Sequence, residues 1–146
     1  MKYIIGIDPD SSAHGVAIYE DGKLKELNQW ALPEIITFLT QIQSKDDCLF
    51  SIEDMKAKKC VYKQHSAKKV RPQGEIGRRL GMCQQSQIEL ERMLTTLEIP
   101  FKLIKPQSGN WADTKLKSQF EKLTGWNKRS NADTRSAAFF GYLALK

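Results

Sequence analysis

The stretch Tyr3-Ile4-Ile5-Gly6-Ile7-Asp8-Pro9-Asp10 decides how the rest of the chain is read. A short apolar run ends in Asp-Pro-Asp, where proline removes a backbone donor, and the turn formers Ser11 and Ser12 follow. This is a strand that stops at Asp8. Working outward, Gly15-Val16-Ala17-Ile18-Tyr19 reads as a second strand, Glu20-Asp21-Gly22 as a tight turn and Lys23 to Trp30 as a third strand. Three antiparallel strands therefore open the fold.

Beyond them helices and strands alternate. Pro33 suits a first helical turn, and Ile35, Ile36, Leu39 and Ile42 recur at helical spacing up to Ser44-Lys45-Asp46-Asp47. Cys48-Leu49-Phe50-Ser51-Ile52 has the compact apolar character of a buried central strand and stops at Glu53-Asp54. A helical pattern runs from about Glu75 through Leu80, Ile88, Met93 and Leu97 until Pro100 closes it. Phe101 to Ile104 is a fifth strand, and Asp113-Thr114 caps a helix containing Leu116, Phe120 and Leu123 that Gly125 ends. A last helix starts at Asn131 or Ala132 and is expected to bury Ala137, Phe140, Leu143 and Leu145. This order predicts an α/β fold, a mixed five-stranded sheet flanked by helices. At 146 residues and 40% hydrophobic content, residues 1–146 are expected to form one domain.

Lysine and arginine outnumber the acids 23 to 17, for a net charge of +6, and the excess is concentrated. From Lys56 to Arg79 the chain carries Lys56, Lys58, Lys59, Lys63, Lys68, Lys69, Arg71, Arg78 and Arg79 against the single acid Glu75. Lys128 and Arg129 add charge just ahead of the last helix. Such clustering favours a polyanionic partner, although a solvated loop has the same composition, so other residues must decide. Tyr62 and His65 are candidates to stack on an exposed base. The N-terminus meets Asp8 too early for a secretory signal or a membrane span, which points to the cytosol and no membrane partner. Cys48, Cys60 and Cys83 are odd in number and scattered, as free thiols in a reducing compartment are. Cys60-x4-His65 lacks a second pair at ligand spacing, so no structural zinc is expected.

The deciding residues are Asp8, Glu53 and Asp133. Asp8 and Glu53 end strands, and Asp133 lies in the first turn of the last helix. Taken singly each has an ordinary explanation: a turn cap, a surface charge, a partner for a helix dipole. Together, beside a basic segment, they are the parts a metal nuclease needs. Hard oxygen donors suit Mg²⁺, which takes only one or two carboxylates and keeps several waters. Two such ions roughly 3.5–4 Å apart support phosphodiester hydrolysis.

Ile4-Ile5-Gly6-Ile7-Asp8-Pro9 followed by Gly15-Val16-Ala17-Ile18 resembles the opening of RuvC-type Holliday junction resolvases of the ribonuclease H-like superfamily, and of their phage relatives. Further matches are Ile52-Glu53, Lys105-Pro106 with Trp111 beyond, and Asn131-Ala132-Asp133 leading into Ala137-Ala138. Sugar-kinase and actin-like ATPases open similarly but are far longer and need two lobes, so the length selects the resolvase branch. The resemblance implies a ribonuclease H-like fold. It also implies a crossover-junction endodeoxyribonuclease that cuts four-way or other branched DNA by metal-dependent hydrolysis. In that reading Asp8, Glu53 and Asp133 bind one or two Mg²⁺, with Mn²⁺ substituting, and Lys105 and Lys117 contact phosphate near the cleavage point.

The family pattern places an acid or histidine three residues beyond the position of Asp133, where this chain has Ser136. Ser136 shares a helix face with Asp133 and is expected to hold a water of the metal's shell. A homodimer is implied too, with Met82, Ile88, Met93 and Leu97 of the long helix as contact candidates, unless that stripe is intramolecular core. The small size hints at a phage or prophage origin. Two other readings stay open: a branched-DNA-binding protein with weak or no hydrolysis, and a ribonuclease H-like nuclease of structured RNA.

Overall fold

In the computed structural model, which describes residues 1–58 and 73–146, a single mixed sheet forms the centre. Its strands are β1 (Tyr3–Asp8), β2 (His14–Glu20), β3 (Lys23–Trp30), β4 (Cys48–Glu53) and β5 (Phe101–Ile104), in the order β3-β2-β1-β4-β5. β1, β2 and β3 run antiparallel, while β4 joins β1, and β5 joins β4, in parallel. The helices are α1 (Leu32–Thr40), α2 (Gln73–Thr96), α3 (Lys117–Thr124) and α4 (Ala132–Ala144). The expected mixed five-stranded sheet is present. The β2–β3 turn owes its tightness to Asp21 and Gly22, both at positive φ (50° and 79°), as a two-residue hairpin turn requires.

Alternation along the strands decides which side of the sheet each residue serves. Ile5, Ile7, Val16, Ile18, Phe50 and Ile52 face one side and meet Ile35 of α1 and Leu90 and Leu94 of α2 in an apolar core. Ile4, Ala17 and Tyr19 face the other and pack with Trp111, Phe120, Ala137 and Ala138. On this second side α4 lies directly on the strand backbones. A Cβ on Gly6 would collide with the Ala137 carbonyl oxygen, and one on Gly15 with that of Asp133, so both positions require glycine. Tyr19 Oη donates to the Ala138 carbonyl and Ser51 Oγ to that of Phe140, each at 2.7 Å.

Several expectations need correction. Leu116 belongs to a 3-10 turn, Thr114–Leu116, rather than to α3, and it is this turn that Asp113 caps, accepting from Lys115 N at 3.0 Å. Leu143 and Leu145 are half-buried where burial was expected, Leu145 packing against the core of the α4 side. The apolar stripe of α2 divides: Met93 and Leu97 pack on the core, Ile88 is half-buried, and Met82 is exposed. Lys59, Cys60, Tyr62, Lys63, His65, Lys68, Lys69 and Arg71 lie outside the described residues. No helix among the described residues is long and apolar enough to cross a membrane.

Candidate catalytic centre

Strand register brings the first two acids together. β1 and β4 pair Ile7 with Ile52, so the next residues, Asp8 and Glu53, end their strands side by side. By alternation both face the α4 side, as Gly6 and Ser51 do. On its other flank Asp8 pairs with Gly15, over which the Asp133 backbone lies. A capping box fixes where α4 begins: Asn131 Oδ1 accepts from Thr134 N at 2.9 Å and Thr134 Oγ1 from Asn131 N at 3.0 Å. Asp133 then occupies the first turn and Ser136, three residues on, follows it on the same face.

The electrostatics show how close the acids are. Glu53 is buried and shares a hydrogen bond with Asp8. Asp8 is pushed up to about 8, first by burial, then by the charge and hydrogen bond of Glu53 and by the charge of Asp133; the hydrogen bond with Ser136 acts the other way. Asp133 is itself raised, by burial and then by Asp10. Lys58 enters the same cluster, its Nζ 3.2 Å from Glu53 Oε1.

Ser136 is buried and receives a hydrogen bond from Asn110 Nδ2 at 3.0 Å. Asn110 is held in turn, its Oδ1 accepting from Ala112 N at 2.9 Å. The buried Arg135 clamps this loop, with Nε on the Trp111 carbonyl at 3.0 Å, Nη2 on that of Ala112 at 3.3 Å and Nη1 on Ser130 Oγ at 3.3 Å. His14, also buried, accepts from Asp10 N through Nδ1 at 3.2 Å and so pins the Asp-Pro-Asp turn. Burial lowers its pKa against the opposing charge of Asp10, favouring the neutral ring with its proton on Nε2. Cys83 of α2 reaches the same rim: burial and the charges of Asp10 and Asp8 raise its thiol, opposed by a Ser11 backbone hydrogen bond and by Lys58.

The sequence reading did not pick out His14, Asn110, Arg135 or Cys83 for the centre. Only His14 left a signal, as a polar residue at the mouth of an apolar strand. Of the residues it did name, the structure brings Asp8, Glu53, Asp133 and Ser136 together and adds Lys58. Lys105 is exposed one residue past β5, whose Ile104 pairs with Glu53, and Lys117 is exposed at the start of α3. Lys56 pairs with Glu91 of α2 at 2.9 Å. Arg78 and Arg129 are exposed, and Lys128 lies over the Trp126 ring, 5.8 Å from its centroid.

Among the described residues no three Asp, Glu, His or Cys side chains are already arranged as a metal cage. The donor set nevertheless suits one hard cation. Two hydrogen-bonded carboxyls, a third at electrostatic range and a hydroxyl are all-oxygen donors, and Mg²⁺ needs no more than one or two carboxylates from the protein. A divalent cation here would offset the like charges that, with burial, push Asp8 up to about 8.

No protein-family model and no curated protein matches the sequence. Two solved structures do resemble the fold. One, T. thermophilus RuvC in complex with Holliday junction substrate, is 10% identical, with a TM-score of 0.58 over 97% of this chain and 91% of that chain. The other, a Thermus thermophilus RuvC structure, is 12% identical, with a TM-score of 0.48 over 98% of this chain and 93% of that chain. At such identity the first likeness speaks for architecture: with its mixed five-stranded sheet and flanking helices, the chain has the ribonuclease H-like fold of RuvC.

Proposed function

We propose that the protein is a structure-selective endonuclease that resolves four-way or other branched DNA junctions by metal-dependent phosphodiester hydrolysis. The observation that carries this reading is the meeting of Asp8, Glu53 and Asp133 on the α4 side of the sheet, with Asp8 held above the ordinary carboxylate range. Asp8 and Glu53 would hold Mg²⁺ or Mn²⁺, with Asp133 alongside. When bound, the cation supplies an activated water and charge stabilisation for the leaving oxygen. The chain does the rest. Asp8 gives up its proton so that the centre is fully anionic, and Ser136, fixed by Asn110, orients the Asp8 carboxyl.

Lys105 and Lys117 contact the phosphate to be cut. Lys56, Lys58, Arg78, Lys128 and Arg129, with the basic residues between 59 and 71, follow the backbone and give affinity that falls steeply with salt. A homodimer would present two equivalent centres to the two strands of a junction, and the exposed Ile76 and Met82 of α2 suit its contact. The RuvC of similar fold is described in complex with a Holliday junction substrate, which supports this choice of DNA form.

One observation favours a second reading. A neutral hydroxyl, Ser136, stands where the resolvase pattern has an acid or histidine, and this fits a junction-binding protein with weak hydrolysis. The test uses an end-labelled immobile four-way DNA junction, a matched linear duplex and an RNA hairpin at equal salt, with Mg²⁺ or Mn²⁺. Paired nicks near the branch point of the junction alone are the expected result. Tight junction binding without nicks under either metal favours the second reading, and preferential cutting of the hairpin overturns the choice of DNA.

A further inference from the structure

Of the ion pairs among the described residues, one enters the acidic centre: Lys58 Nζ to Glu53 Oε1 at 3.2 Å. The Glu53 side chain is 5% exposed and that of Lys58 40%, so the pair joins a buried carboxylate to a group with one side in solvent. The backbone that returns Lys58 to Glu53 is itself fixed. After Glu53 the chain makes a 3-10 turn, Met55–Ala57, capped by Asp54, which accepts from Lys56 N at 3.1 Å. Lys58 N closes the turn on the Met55 carbonyl at 3.1 Å.

Two glutamines of α2 hold this elbow. Gln84 Nε2 donates to the carbonyls of Met55 and Lys58 at 3.0 and 3.2 Å. The fully buried Gln87 accepts from Met55 N at 2.7 Å and donates to Asp54 Oδ1 at 3.1 Å and Glu91 Oε2 at 3.0 Å. A long lysine side chain on a free surface loses most of a pair's worth to its own entropy. Here the base of the side chain is held by the fold, so less of that freedom remains to be lost.

The carboxylate that Lys58 contacts is the one the proposed cation would use. Three acids crowd the centre, an ammonium offsets part of their charge, and a divalent ion at Glu53 would face that ammonium as a like charge. We infer that Lys58 is a place-holding cation. It neutralises Glu53 in the nucleic-acid-free protein and releases it when a divalent ion enters, its ammonium passing to a phosphate oxygen of the bound strand. Metal and polyanion then bind cooperatively: whatever draws Lys58 away tightens the metal by the same factor as the metal tightens it. This inference rests on the metal-centre reading above.

The test is calorimetric titration of Mn²⁺ into nucleic-acid-free protein, with thermal melting of each variant to establish that it is folded. Lys58→Met should bind Mn²⁺ about tenfold more tightly than wild type, within the usual range of such couplings. Lys58→Arg keeps the cation and should bind as wild type does. Lys56→Met removes the same charge from the pair with Glu91, away from the centre, and should also leave the affinity unchanged. Equal affinities in all four proteins overturn the inference while leaving the metal centre standing. Equal tightening in both methionine variants reduces the effect to net charge and overturns it too. Absence of Mn²⁺ binding in every protein removes the metal-centre reading, and the inference with it.

Discussion

The two sides of the sheet are built by different physics. On the α1 and α2 side, Ile5, Ile7, Val16, Ile18, Phe50 and Ile52 meet Leu90 and Leu94 through side-chain volume alone. On the α4 side the helix rests on glycine backbones and is tied down by hydroxyls of Tyr19 and Ser51. A volume-packed side tolerates swaps that conserve volume, whereas a backbone-to-backbone contact has no slack. The acids lie on the side without slack, as a site that must hold several like charges within hydrogen-bonding range requires.

A matched pair of substitutions, one on each side of the sheet, tests this difference in slack most strongly. Gly6→Ala drives a methyl into the Ala137 carbonyl and should cost about 3 kcal/mol, at the upper end for overpacking, because backbone must move. Leu90→Met on the opposite side should cost under about 1.5 kcal/mol. Urea unfolding measures both, and similar losses would erase the distinction.

A second prediction uses pH. Asp8 is raised to about 8 in the folded protein and has an ordinary carboxylate pKa when unfolded, so the folded state holds the extra proton in between. Stability of the metal-free protein therefore falls as pH rises through that window and levels off above about 8. His14, depressed by burial, works oppositely but only below the ordinary histidine pKa of about 6.5. Between pH 6.5 and 8 the loss should be on the order of 2 kcal/mol, from the proton-linkage slope. Asp8→Asn should abolish it. The α1 and α2 side adds nothing there, since its Cys48 is pushed up to about 12 by burial. A flat profile for the wild type would show that the acids are not forced together.

Smaller effects sharpen the contrast. Tyr19→Phe and Ser51→Ala should each cost about 1 kcal/mol, the usual net worth of a hydrogen bond. Asn110→Ala, which frees Ser136, should lower cleavage a few-fold and cost about 1 kcal/mol of stability; a loss several times larger would make Asn110 a structural residue instead.

Much of this architecture can be read from sequence because it is periodic. The apolar runs at Tyr3–Asp8 and at Cys48 place the strands, and the acids at their ends follow from where the runs stop. Placement at element ends singled out Asp8, Glu53 and Asp133, and the resemblance to resolvases gave them the role of metal ligands, but which acids meet depends on the register of β1 with β4. The supporting contacts left no local trace. Asn110 meets Ser136 across 26 residues and Gln87 meets Met55 across 32, and nothing near a polar residue in sequence says which distant partner it finds. Burial of Arg135 was equally hidden, since its acceptors are backbone carbonyls and a hydroxyl, which carry no charge pattern. Periodicity in α2 showed an apolar stripe but not that Met93 turns to the core while Met82 stays in solvent.

In the function proposed above, the acids on the α4 side perform metal-dependent cleavage. The most direct test is single-turnover cleavage of a four-way DNA junction with Mg²⁺ by wild type, Asp8→Asn and Glu53→Gln, with junction binding measured alongside. The expected result is paired nicks by the wild type, and neither nicking nor loss of junction binding in the two variants. Cleavage by either variant at the wild-type rate would contradict it.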